Sequence, residues 1–283
     1  MLDQKIKTIK KNALLREHKK ISHQNHVKLA ESFGSASKSY DLSARLHRFS
    51  GKHLMSWLPS EKQLTVLDLG SGTGFFTDLL ATSYKQVIGL DFSKKMLHFA
   101  KNSRNKNISW LEADAYKIPL QDESIDFIYS NLVFQWFDPL DIAIKEMLRV
   151  LKPGGLIIFT TLVDGTLHEL KSSWEKIDDD QHVIDFKTEL QLEIHFNTEI
   201  STLLEYKCRD VILEYQNVIH LARELKGLGA NHLPKKKNRG LLGKNKWFAM
   251  KEHYKRYLEP NAIYPATYRL YSGLVTKLNN SPN

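Results

Sequence analysis

The chain has 283 residues, 42% of them apolar and 26% charged, which is enough for a full hydrophobic core and unlike a disordered chain. It holds no run of 18 apolar residues, which argues against a membrane-spanning helix, and its one cysteine, Cys208, leaves no intrachain disulfide and no cysteine-based metal site. The net charge of +9 is uneven: residues 1–28 carry eight Lys/Arg against two acids, and residues 226–256 carry ten against Glu252 alone.

Residues 1–28 read as a basic tail without core-forming periodicity. From Val27 to Leu58 the apolar spacing predicts two short helices flanking a Ser-rich link at Gly34–Ser37. Short apolar strands then alternate with helices: strands over Leu64–Leu69, Gln86–Leu90, Ile108–Glu112 and Ile125–Ser130, helices over Phe75–Thr82, Lys94–Asn102 and Asp138–Leu151. Lys152-Pro153-Gly154-Gly155 predicts a turn into a further strand, Leu156–Thr161. This rhythm predicts an α/β, Rossmann-like, mostly parallel sheet covered on both faces. Beyond Thr161, helices and loops precede a long strand (Leu203–Tyr215), a helix (Val218–Lys226), a basic loop, another helix and a last strand (Thr267–Lys277). The expected organisation is therefore a tail (1–28), N-terminal helices with the core (29–163), and lid insertions with the final strands of the same domain (164–283).

The strongest motif is Val66-Leu67-Asp68-Leu69-Gly70-Ser71-Gly72-Thr73-Gly74, a buried strand running into glycines at alternate positions and then a helix. Glycine permits the tight turn and lets a ligand approach the backbone, and in doubly wound sheets nucleotides bind at this crevice. The G-x-G-x-G spacing differs from the dinucleotide G-x-G-x-x-G, and no Lys or Arg follows to meet phosphates. Asp68 would attract an ammonium and repel a pyrophosphate. These features favour S-adenosylmethionine, with Asp68, Gly70, Gly72 and Gly74 at its methionine end. Asp91, closing the second strand, suits the ribose hydroxyls, and Asp114 with Ala115, after the third, suits the adenine amino group. Phe92 and Met96 would sandwich the ring, and Asn131, directly after the fourth strand, is a further candidate for the cofactor. Helix capping is the plainer role for Asp91 and Asp114, and core packing for Met96.

In this order the motifs, down to Leu151-Lys152-Pro153-Gly154-Gly155, resemble class I S-adenosylmethionine-dependent methyltransferases over residues 60–162. A narrower resemblance is carried by Phe33-Gly34, Tyr40-Asp41, Ser130–Trp136, Thr160–Leu170, Leu225–His232 and Tyr264–Tyr268. Over residues 30–277 the chain is similar to the BioC family, the malonyl-acyl-carrier-protein O-methyltransferases of biotin synthesis. That likeness implies a seven-stranded sheet with an antiparallel last strand, and methylation of the free carboxyl of a malonyl thioester, which masks a charge so that the chain can be extended toward pimelate.

Such a carboxylate is already ionised at neutral pH and needs no general base. Tyr40 and Gln135 are the candidate catalytic residues, each able to hydrogen-bond and orient it. Trp136, Arg223, Lys226, Tyr264 and Tyr268 are candidates for the substrate pocket, Arg223 or Lys226 as the cation paired with the carboxylate. The acidic carrier protein would dock on the basic stretch holding Lys235, Lys236, Lys237, Arg239, Lys244 and Lys246, unless these lysines merely solvate the surface. No histidine spacing indicates a metal site. Expectations further include a monomer with neither nucleic acid nor membrane as partner. With no secretory apolar block at the N-terminus, the expected setting is cytoplasmic. Two alternatives stay open: another small-molecule acceptor, and a non-methylating assembly factor of the same fold.

Overall fold

A computed structural model of the chain describes residues 28–279 apart from 29, 38, 39, 42, 106 and 229–242. The tail of residues 1–27 and the cluster Lys235, Lys236, Lys237 and Arg239 lie outside the described residues. A helical stretch at 30–37 and helix α1 (Arg45–Met55) precede the alternating units. These run β1 (Thr65–Leu69), α2 (Phe75–Ala81), β2 (Gln86–Asp91), α3 (Lys94–Ser103), β3 (Ser109–Glu112), β4 (Ile125–Asn131), α4 (Leu140–Val150) and β5 (Leu151–Leu162). The second half adds α5 (His168–Trp174), α6 (Glu189–Phe196), β6 (Ser201–Tyr215), α7 (Val218–Gly227), α8 (Lys244–Tyr254) and β7 (Tyr264–Lys277).

All seven strands join one sheet in the order β3-β2-β1-β4-β5-β7-β6. Strands β1 to β5 pair in parallel, and β7 lies antiparallel to both β5 and β6. Successive strand side chains alternate between faces: Leu67 and Leu69 join the core beneath α4 with Met147 and Leu148, while Val66 packs with Leu54, Phe76 and Leu80 beneath α1 and α2. A third cluster, including Trp174, Leu221, Met250, Tyr254 and Tyr268, fixes α5, α7 and α8 over the β6–β7 end. There the buried Glu169 of α5 accepts the Thr267 amide and hydroxyl at 3.1 and 2.5 Å, fastening α5 to β7.

Two local expectations are corrected. The Ser-rich stretch is not a link but part of the helix at 30–37: Ser35 Oγ bonds back to the Glu31 carbonyl at 2.7 Å, and Gly34 is buried against Ser93 and Lys95. Packing and the back-bond offset the weak helix propensity. The Lys152–Gly155 segment does not precede β5 but bulges within it, because Leu151 pairs with Ile125 while Leu156 pairs with Phe127.

Candidate active site

Where β1 ends, the amides of Gly70 and Ser71 both donate to the Leu90 carbonyl, at 2.8 and 2.9 Å, and Gly74 N donates to Ser71 O at 2.8 Å. Gly70 has φ +77°, and a Cβ there would lie 2.4 Å from Val133. Gly72, at φ +54°, faces open space where a Cβ would meet nothing within 4 Å. Asp91, at the end of β2, closes the loop from the other side, its carboxylate accepting the Gly72 amide at 2.9 Å and the Ser93 amide at 2.7 Å. Burial raises its pKa to about 6 against the pull of those bonds. Asp68, 3% exposed, accepts the Thr77 hydroxyl at 2.5 Å. Burial raises Asp68 to about 7; the Thr77 bond opposes that shift and the Asp91 charge adds to it.

These groups open into a cleft of about 760 Å³. One side is lined by Asp91, Phe92, Met96, Asp114 and Ala115, and the other wall by Phe33, Tyr40, Asn131 and Trp136. Phe33 and Trp136 meet edge-on with ring centres 5.4 Å apart. A polar recess continues from it, lined by Asp41, His47, Arg48, Asp68 and Ser71, with Tyr40, Gly70, Gly72 and Asn131 common to both. Asn131 is held rigidly: its Oδ1 accepts from Ser50 and Thr160, each at 2.7 Å, and its Nδ2 donates to the His47 carbonyl at 2.9 Å. Burial first, then the Asp91 and Asp41 charges, raise the Tyr40 phenol well above its ordinary value, so it keeps its proton. Burial pushes His47 down to about 4, leaving a neutral imidazole.

Tyr40, Asp68, Gly70, Gly72, Asp91, Phe92, Met96, Asp114, Ala115, Asn131 and Trp136 thus converge, while Gly74 forms the turn at the N-terminus of α2. Five candidates do not join them. Gln135 donates to the Leu132 carbonyl at 2.7 Å and accepts from Thr161 at 3.0 Å, and it is absent from the cleft lining. Arg223 and Lys226 are exposed on α7, away from the cleft. Tyr264 and Tyr268 pack into the third cluster with Trp174 and Tyr254, because β7 carries them to the β6–β7 end of the sheet. Lys244 is exposed, and Lys246 pairs with Asp178 at 2.7 Å.

One arrangement escaped the sequence reading. Asp41 accepts from the Thr73 hydroxyl at 2.6 Å and from Arg104 Nη2 at 2.5 Å, while Arg104 Nε donates to Thr73 O at 2.9 Å. The clamp ties the N-terminal segment to the glycine loop and α3. Residues so far apart in the chain carry no shared local signal; only the Tyr40-Asp41 pair hints at it.

S-adenosylmethionine joins an adenine nucleoside to a zwitterionic amino acid, and both ends find matching chemistry here. The apolar slot with Asp91 and Asp114 suits the nucleoside. The recess offers buried Asp68, and two buried polar atoms, His47 Nδ1 and Ser71 Oγ, have no hydrogen-bond partner among the described residues. Gly72 leaves the approach clear. Sheet order, glycine loop and paired acids define a class I methyltransferase that uses S-adenosylmethionine. A family model described as a methyltransferase domain matches residues 67–159. The solved YcgJ protein of Bacillus subtilis superposes with a TM-score of 0.57 at 19% identity, covering 83% of this chain and all of that one. An S-adenosylmethionine-dependent methyltransferase of Mesorhizobium loti gives 0.51 at 15% identity, covering 80% and 96%. At such identities these two define the fold alone.

Sequence relatives are narrower. The malonyl-acyl-carrier-protein O-methyltransferase of Pectobacterium atrosepticum is 35% identical, over 89% of this chain and 96% of its own length. That of Yersinia pestis is 34% identical over 87% and 90%. The chain belongs to the malonyl-acyl-carrier-protein O-methyltransferase family. It is also 38% identical to the biotin biosynthesis bifunctional protein BioHC of Cellvibrio japonicus, spanning 86% of this chain but 49% of that longer protein.

Proposed function

We propose that this enzyme transfers a methyl group to the free carboxylate of malonyl carrier protein, forming the methyl ester that starts pimeloyl assembly for biotin. The observation that carries this reading is the 35% identity along 96% of a relative so named, which takes in the lid as well as the cofactor core. The bound cofactor supplies an electrophilic methyl on its sulfonium. In this reading Asp91 accepts the ribose hydroxyls, Asp114 and Ala115 meet the adenine edge, Phe92 and Met96 cover its faces, and Asp68 with the glycine loop receives the methionine end.

The acceptor enters against Tyr40, Phe33 and Trp136. Because Tyr40 keeps its proton, it serves as a hydrogen-bond donor that orients the carboxylate rather than as a base. No base is required, since the carboxylate is the nucleophile, and one neutral donor positions it with less loss of nucleophilicity than an ion pair. Phe33 and Trp136 exclude water from the in-line approach. Gln135 acts beside them by holding the turn at Leu132. We further read the enzyme as a cytoplasmic monomer; among the described residues no helix is long and apolar enough to cross a membrane. The Lys235, Lys236, Lys237 and Arg239 stretch is a proposed contact for the acidic carrier, whereas Lys246 is already paired with Asp178.

The test is methyl transfer from labelled S-adenosylmethionine to malonyl carrier protein, with acetyl carrier protein as control. A base-labile ester on the malonyl form alone is the expected result. Failure on both with intact cofactor binding would send the search to another acceptor.

A further inference from the structure

Helix α1 presents two faces of different chemistry. Its inner face walls the active site: His47 lines the polar recess, and Ser50 holds Asn131. Along its outer side runs a strip shared with β6, the edge strand of the sheet. At three places a cation and an aromatic ring meet across the gap. Arg45 lies 4.7 Å from the Tyr215 ring centre, Arg209 4.8 Å from Phe49, and Lys207 5.3 Å from Trp57, just beyond α1.

The strip is both open and positive. Phe49 is 44% exposed, and Lys52, Lys207 and Arg209 are exposed as well. Arg45 and Lys207 have acidic partners, Glu224 at 2.6 Å and Glu205 at 3.1 Å. Arg209 and Lys52 have no carboxylate within ion-pairing distance among the described residues. The local potential reaches His53, whose pKa is lowered by burial first and then by Arg209 and Lys207. Tyr215 is buried and its contact serves the core, but the exposed pairing of Phe49 with Arg209 adds little to folding. Aromatic rings and arginine beside unneutralised charge are instead the composition of a protein interface, and the excess cations select an acidic partner.

We propose that the outer side of α1 and the adjoining edge of β6 form a docking surface for the carrier protein, which meets Lys52, Phe49 and Arg209 with an acidic helix. This rests on the malonyl carrier-protein reading above and locates the contact on the back of a helix that walls the active site. Docking there orders the partner directly against the element carrying His47 and Ser50.

The experiment compares wild type, the double variant Lys52→Glu/Arg209→Glu, and a triple reversal of Lys235, Lys236 and Lys237 to Glu. Each is assayed on malonyl carrier protein and on malonyl-pantetheine, a small thioester lacking the protein. The strip variant is expected to lose at least tenfold in kcat/KM for the carrier substrate, through KM, with malonyl-pantetheine turnover within twofold of wild type. Wild-type activity on the carrier should fall with added salt, and the variant's less steeply. Equal kcat/KM of strip variant and wild type on the carrier would overturn the docking surface while leaving the acceptor intact. Equal loss on both substrates would likewise overturn it, marking structural damage rather than docking. A wild type inactive on malonyl carrier protein would sink the acceptor reading and the docking surface with it.

Discussion

The Asp91 carboxylate accepts the amide of Gly72 at 2.9 Å, so the acid that ends β2 and the loop that follows β1 form one unit before any ligand arrives. Its other oxygen takes the Ser93 amide at 2.7 Å. Hydrogen bonds to charged groups contribute about 1.5–3 kcal/mol each, so losing this carboxylate costs the loop geometry and, with it, the ribose contacts proposed for Asp91. Asp91→Ala is expected to weaken S-adenosylmethionine binding by roughly 30-fold or more, since about 1.4 kcal/mol corresponds to tenfold. Asp91→Asn, which keeps one acceptor, should lose less. Titration calorimetry decides this, and wild-type affinity in the Ala variant would remove Asp91 from the site.

Cofactor affinity should depend on pH through Asp68. Its pKa is raised from 3.8 to about 7, and that of Asp91 to about 6, both by burial. A raised folded-state pKa means that the folded protein holds these protons more tightly than the unfolded chain. Their stabilising contribution is complete below the unfolded value near 3.8 and is lost as pH rises through about 6 to 7. A cationic ammonium reverses the balance by favouring ionised Asp68. The rise in melting temperature caused by S-adenosylmethionine should therefore be larger at pH 7.5 than at 5.5, and Asp68→Asn should flatten the difference. An equal rise at both pH values in wild type would contradict the assignment.

Asp41 and Arg104 form a partly buried pair that also grips Thr73. Removing either partner opens the same contact, so Asp41→Ala and Arg104→Ala should each weaken cofactor binding several-fold, about 1–2 kcal/mol. The double variant should lose little more than either single one. Additive losses in a double-mutant cycle would show that the two residues act separately.

Much of the nucleotide half was legible because its signals are local. Gly70 and Gly72 sit at positive φ, and Asp91 follows directly from an apolar strand. Strand alternation likewise revealed β1 to β5, since each strand's burial is visible within a handful of residues. The acceptor half depends on contacts across the chain. Phe33 reaches the cleft from the helical stretch at 30–37, where packing of Gly34 against Ser93 overrides propensity, and Tyr40 lines the cleft from beyond that stretch. Tyr264 and Tyr268 resemble pocket residues in sequence, yet the register of β7 against β6 pairs Tyr264 with Tyr215 and Tyr268 with Val211. That carries both rings into the cluster beneath α5, α7 and α8.

Arg223 and Lys226 are exposed on α7 and do not line the cleft, while their neighbour Glu224 is occupied by Arg45. Single alanine substitutions at Arg223 and Lys226 should leave kcat and KM for a small malonyl thioester within about twofold, surface changes of this kind being worth about 0.5 kcal/mol or less. A tenfold rise in KM would bring the cation back to the substrate.

Gln135 offers the sharpest separation between direct contact and support. Leu132 lies in the left-handed region at φ +57°, a conformation costing roughly 1–2 kcal/mol for such a residue, and it lines the cleft. Three bonds hold it there: its amide donates to Thr160 O at 3.0 Å and to Thr160 Oγ1 at 3.1 Å, and its carbonyl accepts from Gln135. Gln135 also takes the Thr161 hydroxyl, so both ends of its amide are engaged by the fold. Gln135→Ala should therefore lower turnover and stability together, by about 1–2 kcal/mol in the latter, or roughly 2–8 °C in melting temperature. Cofactor affinity should change less than turnover. Lost turnover at an unchanged melting temperature would instead make Gln135 a contact of the acceptor itself. If neither quantity moves, the turn at Leu132 does not depend on this side chain, and Thr160 alone sets the wall of the acceptor site.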